Sequence, residues 1–454
     1  MQQDIYMNIQ ELTCSRNGIR ITLNKQGENI YVKSRHPIKY GCYSEIETDE
    51  AVFQFNMNNE IIGMQGQKDN WPSSQEWLKR TAGNDWVYYS TGGYSGTYES
   101  FGNGFLAEPI HFRIPSPYNE IYKATGEYYI PNFSYNSNSI LGFDPFKETS
   151  VQNLVNSWYD ILKSHLNSFD FKESFASFID DVLKTTPEIL EDRAEVLFNI
   201  IGSRPSVLPP DTRHVDYNVI PLSLSEGCLH KCAFCKIKNK RPFSTRTTED
   251  VDKQIKDLKQ FYGRNLINYN AIFLGDHDTL NSEEDFIIEN AKKAIKQFGF
   301  DNSYMQGSSI YLFGSVNSFL NKNDFFFKKL EQMECRTFIN LGLESADQTT
   351  LDYLGKPISA KKVKESFKRM VAINQEFNNI EITANFIIGD ELSPEHYNAF
   401  LKLTRDELNV PQNKGAVYLS PLFSKIPSRS MLFHFNQLKR LSRIPTYLYT
   451  IQRL

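Results

Sequence analysis

This sequence is short of cysteine, of long apolar runs and of any strong excess of one charge, and each shortage closes off a class of protein. Six cysteines among 454 residues are too few for a disulfide-built fold, which packs cysteine densely into a small secreted chain. No apolar stretch approaches the roughly 20 residues that a membrane-spanning helix needs. The opening MQQDIYMNIQ has no basic stretch followed by an apolar core, so it does not read as a secretion signal. Fifty basic against 54 acidic residues give a net charge of −4; without a global positive field, nucleic acid is not an expected partner. What is present is an ordinary globular composition, 40% hydrophobic and 23% charged, with room for two or three structural units. The cysteine usage suits a reducing, cytoplasmic setting.

Residues 1–130 read as β-rich. Short alternating segments, IRITL, NIYVK and AVFQFNM, are separated by turn residues. The stretch STGGYSGTYESFGNGF holds Gly92, Gly93, Gly96, Gly102 and Gly104, but lacks the Lys-Ser/Thr ending of a phosphate loop and reads as turns. Residues 131–205 read as helical. Val151, Leu154, Val155, Trp158, Leu162 and Leu166 recur at helical spacing behind a capping box of Thr149 and Gln152, and a second helix begins at Thr186-Pro187. The proline-rich SRPSVLPPDTRH then marks the main boundary.

From 206 to 425 strands and helices alternate. YNVIPLSLS, NAIFLGD, SIYLFGS, FINLGLES, IEITANFIIGD and GAVYLSPL read as strands, and Val251, Ile255, Leu258 and Tyr262 mark one helix face. Six such units imply parallel strands with right-handed crossovers, a partial (β/α)6 barrel of α/β class. Residues 426–454 read as a C-terminal helix and tail.

Three of the six cysteines fall within eight positions. Cys228-x3-Cys232-x2-Cys235 follows the first barrel strand directly, and three thiolates at this spacing can wrap one iron–sulfur cluster while leaving its fourth iron open. A structural zinc site completed by His230 is the alternative. It is disfavoured because no second CxxC pair exists and His230 lies between two ligands. Cys335 reads as a buried apolar residue.

The CxxxCxxC spacing, with aromatic Phe234 before the last cysteine, resembles the signature of the radical S-adenosylmethionine (SAM) superfamily. The later segment LGLESADQTTLDYLGK is similar to the coproporphyrinogen-dehydrogenase, Elp3 and methylthiotransferase branch. The resemblance covers about half the chain and matches no member of known substrate.

It implies a [4Fe-4S] cluster on Cys228, Cys232 and Cys235, whose open iron binds SAM. Reductive cleavage then gives a 5′-deoxyadenosyl radical that abstracts hydrogen from a small molecule or peptide, with electrons from a low-potential donor such as a flavodoxin or ferredoxin. By position, Phe234 packs beside the adenine, and Gly275 and Asp276 replace the family's glycine-rich turn at the SAM amino group. Glu344 and Lys356 contact the ribose or methionyl part and the carboxylate, Asn385 approaches the ribose, and the backbone of residues 387–389 flanks the adenine. His277 and Asp278, at the same mouth, are candidates for substrate binding or proton transfer. Lys236, Lys238, Lys240 and Arg241 form a basic run suited to solvent or to an acidic electron donor.

The remaining cysteines, Cys14, Cys42 and Cys335, cannot make a second cluster, and no DxHxxG cobalamin motif occurs. Methylthiotransferase chemistry and B12-dependent methyl transfer are therefore not expected. The alternative function is an iron–sulfur electron carrier or sensor without SAM catalysis. Tyr and Phe in the first 200 residues suit an apolar surface that helps bind substrate.

Overall fold

The computed structural model describes residues 10–31, 40–67, 71, 77–80, 86–89, 148–167, 173–202, 219–230, 232, 234, 242–275, 278–333, 335–422 and 428–448. The glycine-rich stretch with Gly92, Gly93, Gly96, Gly102 and Gly104, and the proline-rich boundary, lie outside them.

The N-terminal unit is an antiparallel meander. Strands β1 (Leu12–Arg16), β2 (Ile19–Gln26), β3 (Cys42–Glu47), β4 (Ala51–Phe55), β5 (Ile61–Gly66), β6 (Trp77–Arg80) and β7 (Trp86–Tyr89) lie side by side in chain order. IRITL and AVFQF are strands as read. Residues 29–31 of NIYVK are not, because the Asn29 carbonyl accepts from Gln306 N–H in the second unit instead of joining a ladder.

Helix α1 (Thr149–Leu166) is followed by α2 (Glu173–Lys184) and α3 (Pro187–Ile201). The apolar stripe of α1, Val151, Leu154, Trp158 and Leu162, joins Ile21, Phe53, Phe55 and Leu78 in one buried cluster. Period-3.6 and period-2 patterns thus meet face to face. The expected capping box at Thr149 is absent. Thr149 is already helical, and Glu148 stands at the cap without a side-chain bond. Thr186 does cap α3, accepting from Ile189 N–H, with Pro187 at the first turn.

The second unit is an open parallel sheet of β8 (Val219–Pro221), β11 (Ala271–Phe273), β12 (Ser309–Gly314), β13 (Arg336–Glu344), β14 (Ile380–Ile388), β15 (Val417–Pro421) and β16 (Thr446–Leu448), again in chain order. A two-residue ribbon, β9 (Ser225–Glu226) with β10 (Ser244–Thr245), stands apart. Between the strands run α4 (Thr248–Tyr262), α5 (Glu284–Phe298), α6 (Val316–Asn321), α7 (Asp324–Glu331), α8 (Gln348–Tyr353), α9 (Ala360–Glu376), α10 (Pro394–Leu401) and α11 (Arg429–Leu441). All six expected strands are present. A seventh, β16, follows α11 and pairs Tyr447 with Tyr418, so the sheet continues into residues read as helix and tail.

The two sheet faces have different work. Ile220, Ile272, Ile310, Ile339 and Leu341 point to the helices and join the large core. The alternate residues Val219, Ala271, Phe273, Tyr311 and Phe338 form a second cluster on the opposite face, with Tyr311 stacked on Phe338 at 5.0 Å. Aromatic side chains thus fill the face away from the helices towards the amino ends of β12 and β13, closing that end as side-chain layers fill a barrel interior.

The N-terminal sheet docks on that closed end. Asn268, just before β11, accepts from Cys42 N–H at 2.7 Å and donates to the Cys42 carbonyl at 2.8 Å. Asn265 accepts from Met57 N–H, and Asn58 donates to the Tyr262 carbonyl. Tyr304, before β12, donates to the Gly27 carbonyl. These bonds place the described part of the meander opposite the carboxyl ends of the strands, where a barrel builds its site. The sheet braces that end, and its described aromatic residues Tyr43, Phe53, Phe55 and Trp77 are buried. No helix among the described residues is long and apolar enough to cross a membrane.

Candidate functional site

The cysteine loop leaves the sheet immediately after β8. Its neck is closed by the β9–β10 ribbon, pairing Glu226 with Ser244 and Ser225 with Thr245. Arg246 fastens that neck, reaching Glu226 Oε1 at 2.7 Å and the Ile201 carbonyl at 2.8 Å. The carbonyl belongs to the last turn of α3, where a cation is favoured. Thr245 Oγ1 lies 3.2 Å from Ser282 Oγ, and Ser225 Oγ lies 3.4 Å from Thr279 Oγ1. The loop is therefore held against the turn that follows β11.

Within it, Cys228 is half-buried and Cys232 buried, and Phe234 packs against the main core. His230 N–H points at Cys228 Sγ, 3.4 Å away. Cys235, Lys236, Lys238, Lys240 and Arg241 lie outside the described residues, as do Asp276 and His277.

The His230 side chain reports what the loop faces. Burial lowers its pKa first; Lys356 adds to the effect and Asp278 opposes it. Charges from the second and fourth strand ends of the sheet thus act on an imidazole that follows the first. Among the described residues, His230 Nε2 and Asp278 Oδ2 are both buried there without a hydrogen-bond partner. The other oxygen, Asp278 Oδ1, accepts from Ser315 N–H at 2.7 Å and from the Ser318 hydroxyl. Asp278 is thus a tie between two loops that keeps one acceptor without a partner among the described residues.

Gly275 makes the turn after β11 possible. Its φ is +117°, and a Cβ there would lie 2.8 Å from Thr279 Oγ1, so no other residue fits without displacement. The same Cβ position is 3.8 Å from Leu224 N, which puts this turn beside the start of the cysteine loop.

At the end of β13, Lys356 donates to Glu344 Oε1 at 3.0 Å and to the Gly342 carbonyl at 2.7 Å. Both side chains are largely buried, at 7% and 13% exposure. They lie over Gly342, where a Cβ would meet Glu344 Oε1 at 2.8 Å. Glu344 itself has φ +65°, next to a register shift in the β13–β14 ladder. Two residues singled out separately in the sequence are therefore one ion pair, built on strained backbone.

Asn385, on β14, donates to Asn340 Oδ1 at 2.6 Å, and Asn340 returns a bond at 3.1 Å while also reaching Thr383 Oγ1 at 2.8 Å. Asn340 is completely buried and escaped the sequence reading. The signal was available: it is the one polar residue within FINLGL, the feature that singled out Asn385. Alternation places Asn340 and Gly342 on the same face as Phe338, so polarity replaces aromatic packing as the strands approach their carboxyl ends.

The donor set suits an iron–sulfur cluster. The described ligand candidates are soft thiols on one short loop, with no hard carboxylate ligand between them. The unused Asp278 oxygen beside the loop suits the ammonium of an amino acid such as the methionyl part of SAM.

Residues 222–404 match the model of the Radical SAM superfamily. Among solved structures, a radical SAM methyltransferase from Sphaerobacter thermophilus is 15% identical with a TM-score of 0.33, over 51% of this chain and 66% of that one. Methylornithine synthase (PylB) is 12% identical with a TM-score of 0.31, over 66% and 86%. The cobalamin-dependent SAM radical enzyme OxsB is 14% identical with a TM-score of 0.30, over 50% and 30%. The chain thus spans just under two thirds of the methyltransferase's length and between 26% and 66% of the length of OxsB in its different structures. No curated protein matches it.

Proposed function

Because this chain carries a radical SAM domain over residues 222–404, an enzyme domain that uses a [4Fe-4S] cluster and SAM, we propose that Cys228, Cys232 and Cys235 hold the cluster and that the mouth beside them binds SAM. When bound, such a cluster would pass one electron from the donor to SAM, splitting it into methionine and a 5′-deoxyadenosyl radical able to take a hydrogen atom from a small-molecule or peptide substrate.

The chain's own residues supply binding and orientation. The β9–β10 neck presents the thiols at the carboxyl end of β8. Asp278 Oδ2 offers an acceptor to the SAM ammonium, a place for which Gly275 and Asp276 are also candidates. Lys356, presented by Glu344, faces the SAM carboxylate. Asn385, braced by Asn340, and the backbone of residues 387–389 face the nucleoside, with Phe234 against the adenine. The basic run Lys236, Lys238, Lys240 and Arg241 suits an acidic low-potential electron donor.

The observation that carries this reading is the cysteine loop held against the turn that bears the Asp278 oxygen, with the Lys356 charge acting on His230 between the thiols. A bare electron carrier has no use for an unused buried acceptor and a strained ion pair beside its cluster. The test is anaerobic reconstitution, reduction, and chromatographic measurement of 5′-deoxyadenosine. A protein with a full cluster that neither binds nor cleaves SAM would be an electron carrier or sensor instead.

A further inference from the structure

Two adjacent residues of α10 grip the carboxyl ends of β13 and β14. His396 is 1% exposed, and both its ring nitrogens are engaged. Nδ1 lies 2.8 Å from Ser345 Oγ, and Nε2 lies 3.0 Å from the Ile387 carbonyl oxygen. A carbonyl only accepts, so Nε2 carries the proton and Nδ1 accepts from the Ser345 hydroxyl. The Ser345 oxygen in turn accepts from Asp347 N–H at 3.1 Å. Tyr397 encloses Gly389, donating to its carbonyl at 2.5 Å and accepting from its N–H at 3.1 Å.

These bonds act just where the ladder stops. The last β14–β15 pair is Ile388 with Pro421, so Gly389 has left the sheet. Ser345 directly follows Glu344, whose backbone is strained. One imidazole therefore fixes the spacing between the Glu344 end of β13 and the Ile387 end of β14. A loop end that only had to be solvated needs no buried histidine tied on both sides.

We propose that His396, seconded by Tyr397, is a positioning residue for SAM that sets the gap between these two strand ends so that the nucleoside fits between them. The proposal rests on the reading that Glu344 and the backbone of residues 387–389 border the SAM site. Neither side chain touches the reacting atoms. The clamp acts chiefly on the nucleoside, through the backbone of residues 387–389, because Lys356 at the methionyl end is held by its own bonds to Glu344 and Gly342; this separates it from a residue that merely stabilises the fold.

The test uses the full-length, reconstituted protein and equilibrium binding of SAM, 5′-deoxyadenosine and L-methionine. Iron content and thermal midpoint are measured on the same samples. His396→Phe removes both bonds, and His396→Gln keeps an N–H able to reach the Ile387 carbonyl. His396→Phe is expected to lose about tenfold in affinity for SAM and 5′-deoxyadenosine, the worth of one buried hydrogen bond. Its iron content and L-methionine affinity stay unchanged, and His396→Gln recovers most of the loss. If His396→Phe lowers the thermal midpoint yet binds SAM like the wild type, or loses L-methionine equally, the residue is structural and the proposal is wrong. Should that variant fail to fold, Tyr397→Phe, which removes one hydroxyl, is judged by the same contrast. Wild-type protein with a full cluster that binds neither SAM nor 5′-deoxyadenosine overturns the underlying site reading, and the clamp with it.

Discussion

The two seven-stranded sheets place unusual backbone in different ways. In the N-terminal meander the non-glycine residues with positive φ are Asn17, Asn24 and Asn59, a residue type whose short amide tolerates this region. Asn17-Gly18 makes the two-residue turn between β1 and β2, as hairpin geometry demands. In the core sheet the one such residue described is Glu344, and nothing about glutamate favours it. Polar burial divides the same way. Glu45 in β3 is satisfied by Lys25 at 2.6 Å and Gln54 at 3.2 Å, whereas Asp278 Oδ2 and His230 Nε2 are not satisfied among the described residues. At the described turns of the first sheet the sequence agrees with the conformation; the second holds a strained glutamate and, among the described residues, an unpartnered carboxylate oxygen at its carboxyl ends. Such features persist where the surrounding fold imposes them for a task.

The sharpest break between the sheets is chemical. Cys232→Ala is expected to abolish cluster retention and SAM cleavage, a loss of at least about a hundredfold. Cys42→Ala, at a position 1% exposed in β3, costs stability and leaves iron per chain unchanged. Iron and sulfide analysis of both variants decides it, and iron loss in Cys42→Ala would end the contrast. Next in size is the ion pair. Lys356→Met strands a buried carboxylate and is expected to destabilise by about 3 kcal/mol in urea unfolding. Lys25→Met also uncovers a buried carboxylate, but Glu45 keeps the Gln54 donor and the lysine site is 34% exposed, so it costs less, about 1 kcal/mol. Equal costs would mean that the core pair is no more demanding than the pair in the meander. Adding Glu344→Gly to Lys356→Met removes the stranded charge and the positive-φ strain together. That double variant should recover most of the stability lost in Lys356→Met without restoring SAM binding. If it remains as unstable as Lys356→Met, Glu344 is not strained.

The sequence made the core strands legible because each is an apolar, β-branched run between amphipathic helices, and the cysteine spacing made the loop legible. What it hid was set by distant partners. Thr446–Leu448 is three residues long and becomes a strand only through Tyr418 and its neighbours. The neck of the loop is two polar dipeptides, Ser225–Glu226 and Ser244–Thr245, with no pattern of their own. Asn265 and Asn268 look like turn residues until their amides are seen holding the Met57 and Cys42 backbones. Glu344 and Lys356 were each found, but their pairing and the φ of Glu344 depend on a bulge that no local signal announces. His396 was invisible for the same reason, since its two partners lie on different strands.

The smallest expected effect concerns protons. His396 is held below its ordinary pKa of 6.5, chiefly by burial, with His434 on α11 pushing the same way and the Ile387 carbonyl and Asp347 opposing. In the unfolded chain the group returns to its ordinary value. Between the two values the unfolded state binds more protons than the folded one, so stability falls as pH drops below about 6.5 and stops falling once the folded pKa is passed. One group contributes at most about 1.4 kcal/mol per pH unit within that window. His230 and His434 are depressed as well and steepen the slope in the same direction, so the wild type alone cannot isolate the clamp. His396→Gln can: its unfolding free energy should fall less than the wild type's between pH 7 and 5, as read from urea midpoints at fixed ionic strength. Parallel curves would show that the histidine is free to protonate in place. The two strand ends would then be held by packing alone, and the core sheet would be as self-sufficient at its rim as the meander is at its turns.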